Sequence, residues 1–157
     1  MPGERRSVRL SREEAWAELE GAHTGILTTL RSDGMPIALP VWFVALDEKV
    51  YVSAPAHTKK LKRVRKDPRV SFLVESGERW AELRAVHLTG RARIVDDEEV
   101  IARVRDVLDA KYAAYRTDRS RMPDATREYY SVESELIEIV PDERILTWDN
   151  ARLGIES

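Results

Sequence analysis

Gly25-Ile26-Leu27-Thr28-Thr29-Leu30, a turn at Asp33-Gly34, the apolar run over 37–46, a turn at Asp47-Glu48, and Lys49-Val50-Tyr51-Val52-Ser53 form the stretch that decides the fold. Its apolar runs are short, rich in β-branched and aromatic residues, and bounded by turn signals, the pattern of strands. Asp-Gly is a hairpin signal, because both central residues of the tightest hairpin turn need positive φ. Pro40 interrupts the middle run; lacking an N–H, it marks a sheet edge or a bulge. The stretch predicts a meander of antiparallel strands with short connections.

Upstream, residues 1–10 are basic and patternless and read as a loose arm. Ser11-Arg12-Glu13-Glu14 is a capping box, so a short helix follows with Ala15, Trp16 and Leu19 inward, ending near Gly21. Downstream, Pro55 ends the third strand, and 58–66 reads as a helix with Leu61 and Val64 inward, ended by Asp67-Pro68. Residues 70–75 and 81–95 read as a fourth and a long fifth strand. In the fifth, Val86, Leu88, Ala92 and Ile94 share one face, and Gly90 marks a bulge or a close backbone approach. Four acids at 96–99 open a helix to about Tyr115 whose apolar residues keep a 3.6-residue period. Residues 116–133 are polar and irregular, with room for one helical turn. Two strands, 135–140 and 144–148, close the chain around Pro141-Asp142. The expected architecture is one mainly β domain over 1–157, an antiparallel barrel of six or seven strands with accessory helices.

Composition narrows the function. Among 157 residues, 26 Lys and Arg against 28 Asp and Glu leave a net charge of −2, which gives no overall pull toward nucleic acid. The absence of cysteine excludes disulfides, thiolate metal sites and a cysteine nucleophile, and three histidines without paired spacing argue against a zinc site. No apolar run reaches membrane-spanning length and no secretory signal opens the chain, so a cytoplasmic protein is expected.

Charge is concentrated in one place. Residues 57–69 hold seven Lys or Arg and one Asp. Lys59 and Lys60 fall at a helix start, where cations oppose the macrodipole and the free amides want an acceptor. A bound phosphate would answer both, with Thr58 adding a hydroxyl; a solvated basic face is the competing reading. Leu39-Pro40-Val41-Trp42-Phe43 places edge backbone beside an indole, a setting for a flat polar ring, or else simply core. No Ser-His-Asp arrangement, carboxylate pair or glycine-rich phosphate loop stands out in the sequence, so a reaction is expected to belong to a cofactor.

Taken in order, Asp33-Gly34-Met35-Pro36, Pro40-Val41-Trp42-Phe43, the run from Ser53 to Lys60, Asp67-Pro68-Arg69-Val70-Ser71 and Arg84-Ala85-Val86-His87-Leu88-Thr89-Gly90-Arg91-Ala92 resemble the pyridoxamine 5′-phosphate oxidase-like, flavin-binding split β-barrel family. The resemblance spans about residues 12–96. It implies a phosphate motif at Thr58, Lys59 and Lys60, and ring and ribityl contacts at Leu39, Pro40, Val41 and Trp42. It also puts cofactor contacts at Ser53, Ala54 and Ala85. It further implies a homodimer with the cofactor at the subunit interface, and places Trp80, Arg84 and Trp148 toward the partner's cofactor. Leu39 and Val44 stand where the vitamin enzyme carries Arg and Lys, Ala85 stands where it carries Gln, and residues 116–157 do not match its C-terminal region. These departures speak against pyridoxamine phosphate as substrate and toward a smaller branch using FMN or the deazaflavin coenzyme F420. The implied activity is hydride transfer with a small organic substrate. Rival readings are a non-enzymatic flavin carrier or sensor, a haem protein using His57 or His87, and, remotely, a nucleic-acid module using helix 58–66.

Overall fold

The computed structural model describes residues 6–156. The capping box forms as the sequence implies: Ser11 Oγ accepts from the Glu14 amide at 3.1 Å, and Glu14 accepts from the Ser11 amide at 3.0 Å. It opens α1 (Arg12–Gly21), which buries Ala15, Trp16 and Leu19. Seven strands follow: β1 (Gly25–Leu30), β2 (Pro36–Val41), β3 (Val44–Leu46), β4 (Lys49–Pro55), β5 (Arg69–Ser76), β6 (Arg84–Ile94) and β7 (Ser134–Asp149). Helix α2 (Lys59–Lys66) joins β4 to β5; α3 (Glu98–Tyr112) and the short α4 (Asp124–Tyr129) lie between β6 and β7.

All strands belong to one antiparallel sheet in the order β2-β1-β5-β6-β7-β4-β3. The strand expected over 37–46 is therefore two strands on opposite edges, joined by Trp42 and Phe43. Consecutive Cα atoms are at most about 3.8 Å apart, so the three links from Val41 to Val44 reach no more than about 11 Å. The sheet must curl until its edges almost meet. That closes a half-barrel around Leu27, Phe43, Val50, Phe72, Val86, Leu88, Ile137 and Ile139, all of them buried. A second cluster, Val44, Tyr51, Val104, Leu108, Tyr112 and Leu136, packs α3 against the outside of β3, β4 and β7.

Three further expectations change. The two closing strands are one, β7, because both halves pair with β6. Leu88 faces Ile145 and Gly90 faces Pro141, so the single residue Thr89 of β6 lies opposite residues 142–144 of β7, which form a bulge. The pair of left-handed residues is Asp47 and Glu48 (φ 53° and 55°), in the two-residue β3–β4 loop that requires them, whereas at Asp33-Gly34 only Gly34 has positive φ. There the five residues between Leu30 and Pro36 allow a wider turn. The arm is not loose over 6–10: the Asp149 amide donates to Val8 O at 2.7 Å and Leu10 is buried. Residues 1–5 of that arm lie outside the described residues.

At the bulge, an added Cβ on Gly90 would lie 2.4 Å from the Val140 carbonyl oxygen, and backbone cannot swing aside there. Gly21, ending α1, faces open space. Gly90→Ala should cost about 1–3 kcal/mol, the usual penalty of overpacking, and Gly21→Ala should be neutral or slightly stabilising. Urea midpoints at unchanged slope check both.

Candidate cofactor site

The end of β2, the crossover, the end of β4, the start of α2 and the outer part of α3 converge on a cleft of about 770 Å³. Six of the residues singled out from the sequence line it: Pro40, Val41, Trp42, Ser53, Thr58 and Lys60. The other four do not. Ala54 follows Ser53 on a strand, so it points the opposite way and is wholly buried in the core. Ala85 is buried on β6 between Glu75 and Trp148. Leu39 is exposed on β2 outside the cleft lining. Lys59 lines a separate groove with Lys62, Arg63 and Lys66.

At the α2 end of the cleft, Thr58 is the N-cap residue but caps nothing with its side chain; its hydroxyl donates to the Pro55 carbonyl at 3.0 Å. The first-turn amides of α2 thus have no side-chain acceptor. Burial, and next the neighbouring Arg63, push the Lys60 ammonium below its ordinary range. Arg63 is itself fixed, donating to buried Thr29 at 2.6 Å. An anion at this end would meet a helix terminus and a partly desolvated ammonium together.

Also lining the cleft, the Trp42 indole lies flat on the Tyr112 ring, with centroids 4.4 Å apart and planes 4° apart. Trp42 stays 39% exposed, so part of it faces the cleft. The remaining wall comes from residues the sequence reading did not assign to a site. Arg105 donates to Ser134 O at 2.7 Å, Arg116 pairs with Asp109 at 2.7 Å, and Tyr129 and Tyr130 project from the end of α4. Tyr129 meets His57 edge-on at 4.5 Å. Tyr112 was legible as the inner stripe of α3; the others sit on its outer face or in the aperiodic stretch 116–133, which carries no signal of burial.

Lys111 lies beside the Trp42–Tyr112 stack without lining the cleft. Its ammonium donates to the Phe43 carbonyl at 2.9 Å and sits 4.0 Å from the Phe43 ring centroid. Burial pulls it from the ordinary 10.5 to about 8.

Of the residues expected near a partner, Arg84 is tied to Glu18 (2.9 Å) and Asp149 (3.4 Å), while Trp80 is 60% exposed. Trp148 is half-buried opposite Ala85. Val44 is packed under α3 and reaches no cleft. His57 lies in the loop before α2, and His87 on the outer face of β6 between Leu73 and Leu146. No group of three metal-ligating side chains occurs among the described residues, and no described helix is long and apolar enough to cross a membrane.

The sequence profile of pyridoxamine 5′-phosphate oxidase matches residues 11–143, from the capping box through the bulge of β7. The chain belongs to the pyridoxamine 5′-phosphate oxidase family. Among solved structures, it is similar to a conserved hypothetical protein from Mycobacterium tuberculosis at 30% identity and TM-score 0.80, covering 98% of this chain and 93% of that one. An FAD-binding protein from Mesorhizobium loti shares the fold at 21% identity and TM-score 0.67, covering 88% and 94%. The haem storage protein of Vibrio cholerae shares it at 15% identity and TM-score 0.65, covering 87% and 94%. No curated protein matches the chain. The family fold therefore has flavin-binding and haem-storing relatives, and the cleft must be judged on its own side chains.

Lys111 gives the site a pH signature. Its folded-state value near 8 lies below its unfolded one, so between them the unfolded chain binds more protons and stability rises with pH. Above pH 10 the phenols of Tyr51 and Tyr112, both raised by burial, act in the opposite direction. The urea midpoint of the wild type should therefore climb relative to that of Lys111→Met from about pH 8 to about pH 10. Parallel curves would show that the amine is not desolvated.

Proposed function

We propose that this cleft binds a flavin-type cofactor, FMN or its deazaflavin counterpart, and that the protein is an oxidoreductase exchanging a hydride with a small organic substrate. The observation that carries the reading is one cleft that joins two unlike features. The uncapped start of α2 with Lys60 suits a phosphate, and the exposed part of the Trp42 indole, beside the edge strand β2, suits a flat conjugated ring. The residues present therefore fit such a cofactor, and the cleft volume lies in the range of ordinary cofactor sites. A bound flavin supplies the two-electron chemistry. The chain's own part is to hold the phosphate through α2 and Lys60, to orient the ring through Val41 and Trp42, and to narrow the opening with Tyr129 and Tyr130. Positioning is the main contribution asked of the protein.

A homodimer belongs to the same proposal. Pro40, Ile26, Leu73, His87 and Leu146 stand opposite one another across β2, β1, β5, β6 and β7 on the outer face of the sheet. Leu146 is 53% exposed. A second copy is the partner that would cover this row and bring Trp148 and Trp80 near a neighbouring cleft.

One observation favours the deazaflavin within this reading. The groove holding Lys59, Lys62, Arg63 and Lys66 runs along the other side of α2 and begins one residue from Lys60. A cofactor with a longer anionic tail would occupy both.

Titrating the apo-protein with FMN and with the deazaflavin, followed by fluorescence, tests the proposal. Binding of either supports it, preference names the cofactor, and binding of neither removes it. Lys60→Ala should weaken binding about tenfold or more, the scale of a charge-assisted hydrogen bond; an unchanged affinity would remove the phosphate assignment. Sedimentation should give a dimer, and dilution to monomer should release the cofactor.

A further inference from the structure

Trp42 and Phe43 lie between two strands and so outside the hydrogen-bonded ladder. Phe43 is fully buried, and a buried amide and carbonyl there need partners. Both partners come from the last turn of α3. The Phe43 N–H donates to the Tyr112 hydroxyl oxygen at 2.8 Å, and its carbonyl accepts from the Lys111 ammonium at 2.9 Å. The Tyr112 hydroxyl has one proton to give, and the carbonyls of His23 and Phe43 both lie 2.8 Å away. With Lys111 already on Phe43, donation to His23 leaves every group satisfied. Tyr112 thus links the segment entering β1 to the crossover. Its ring is also the bed on which the Trp42 indole lies, while His23 meets Trp42 edge-on at 5.9 Å. Backbone and side chain of the segment that presents Trp42 to the cleft are therefore held by two consecutive residues of one helix.

We infer that Lys111 and Tyr112 are positioning residues for the cofactor site, setting the tilt of the Trp42 indole and through it the affinity and electronic surroundings of a bound flavin. The inference rests on the flavin reading above. Lys111 does not line the cleft, so its effect passes through the Phe43 carbonyl. Tyr112 also lines the cleft but is wholly buried, and it acts through Phe43 and through the stacked indole. A role confined to stability would lower the melting temperature and leave the bound flavin's spectrum alone.

The test compares Lys111→Met, Lys111→Arg and Tyr112→Phe with wild type in the full chain, with FMN and the deazaflavin as probes. The readouts are Kd, the position of the flavin's visible absorption band, and circular dichroism for folding. Lys111→Met, which loses one backbone-directed hydrogen bond, and Tyr112→Phe, which loses two, are expected to bind about fivefold or more weakly and to shift the visible band. Lys111→Arg, whose guanidinium still offers donors to the carbonyl, should recover most of the affinity. Folded Lys111→Met that binds within about twofold of wild type with an unmoved band would overturn the inference, and this variant decides it if Tyr112→Phe does not fold. If wild type binds neither probe, the flavin reading fails, and the clamp is then judged on Trp42 itself. Its emission, obtained by difference from Trp42→Phe, must shift in Lys111→Met; an unmoved emission also overturns the inference.

Discussion

Two residues carry the chain from one edge of the sheet to the other. Because Trp42 and Phe43 are all that separates β2 from β3, the sheet can only be a nearly closed curl. The rest follows from that tether. The concave face must fill with apolar side chains, and it does, from every strand. The two edges approach without pairing, so the sheet keeps a seam. The cleft lies beside the crossover, where the ends of β2 and β4 meet α2 and α3.

The tether also creates a polar debt that α3 meets. Backbone that leaves a ladder inside a protein must find other partners, and the last turn of α3 supplies a hydroxyl and an ammonium for Phe43. The ammonium is desolvated by this duty. A lysine is suited to it because its compact ammonium can reach the Phe43 carbonyl while sitting 4.0 Å from the centroid of the Phe43 ring, a cation–π contact. Site geometry and fold closure thus depend on the same few atoms.

Much of this was legible in the sequence because it rests on local rules. The capping box, the Asp67-Pro68 stop, the inward stripes of α1, α2 and α3, and the glycine at the β6–β7 approach each follow from a few neighbouring residues. What escaped depends on where distant segments pair. Pro40 marks an edge, but the run over 37–46 is uniformly apolar, so nothing local shows that the chain passes to the opposite edge at Trp42. Residues 135–140 and 144–148 look like two strands because Pro141-Asp142 is a turn signal, yet pairing of both halves with β6 makes them one. Glu138, within the first of these runs, is buried and held by Tyr51 at 2.9 Å and Arg93 at 2.8 Å. Its partners lie 87 and 45 residues away, and no short window contains them.

The same geometry explains why only part of the candidate site came together. A motif read along the chain is a line, whereas a site is a face. On a strand, successive side chains point to opposite sides, so Ser53 reaches the cleft and Ala54 must reach the core. On a helix of 3.6 residues per turn, successive side chains are rotated by roughly 100°. Lys59 and Lys60 therefore cannot serve one small anion equally: Lys60 turns to the cleft and Lys59 to the groove beyond. The start of α2 becomes a shared rim between two basic surfaces, one closed enough to depress its lysine and one open to solvent. A compact phosphate needs only the first. Engaging both lysines requires a ligand whose negative charge continues past the helix start, so the pairing of Lys59 with Lys60 bears on the length of the ligand's anionic part as well as on its presence.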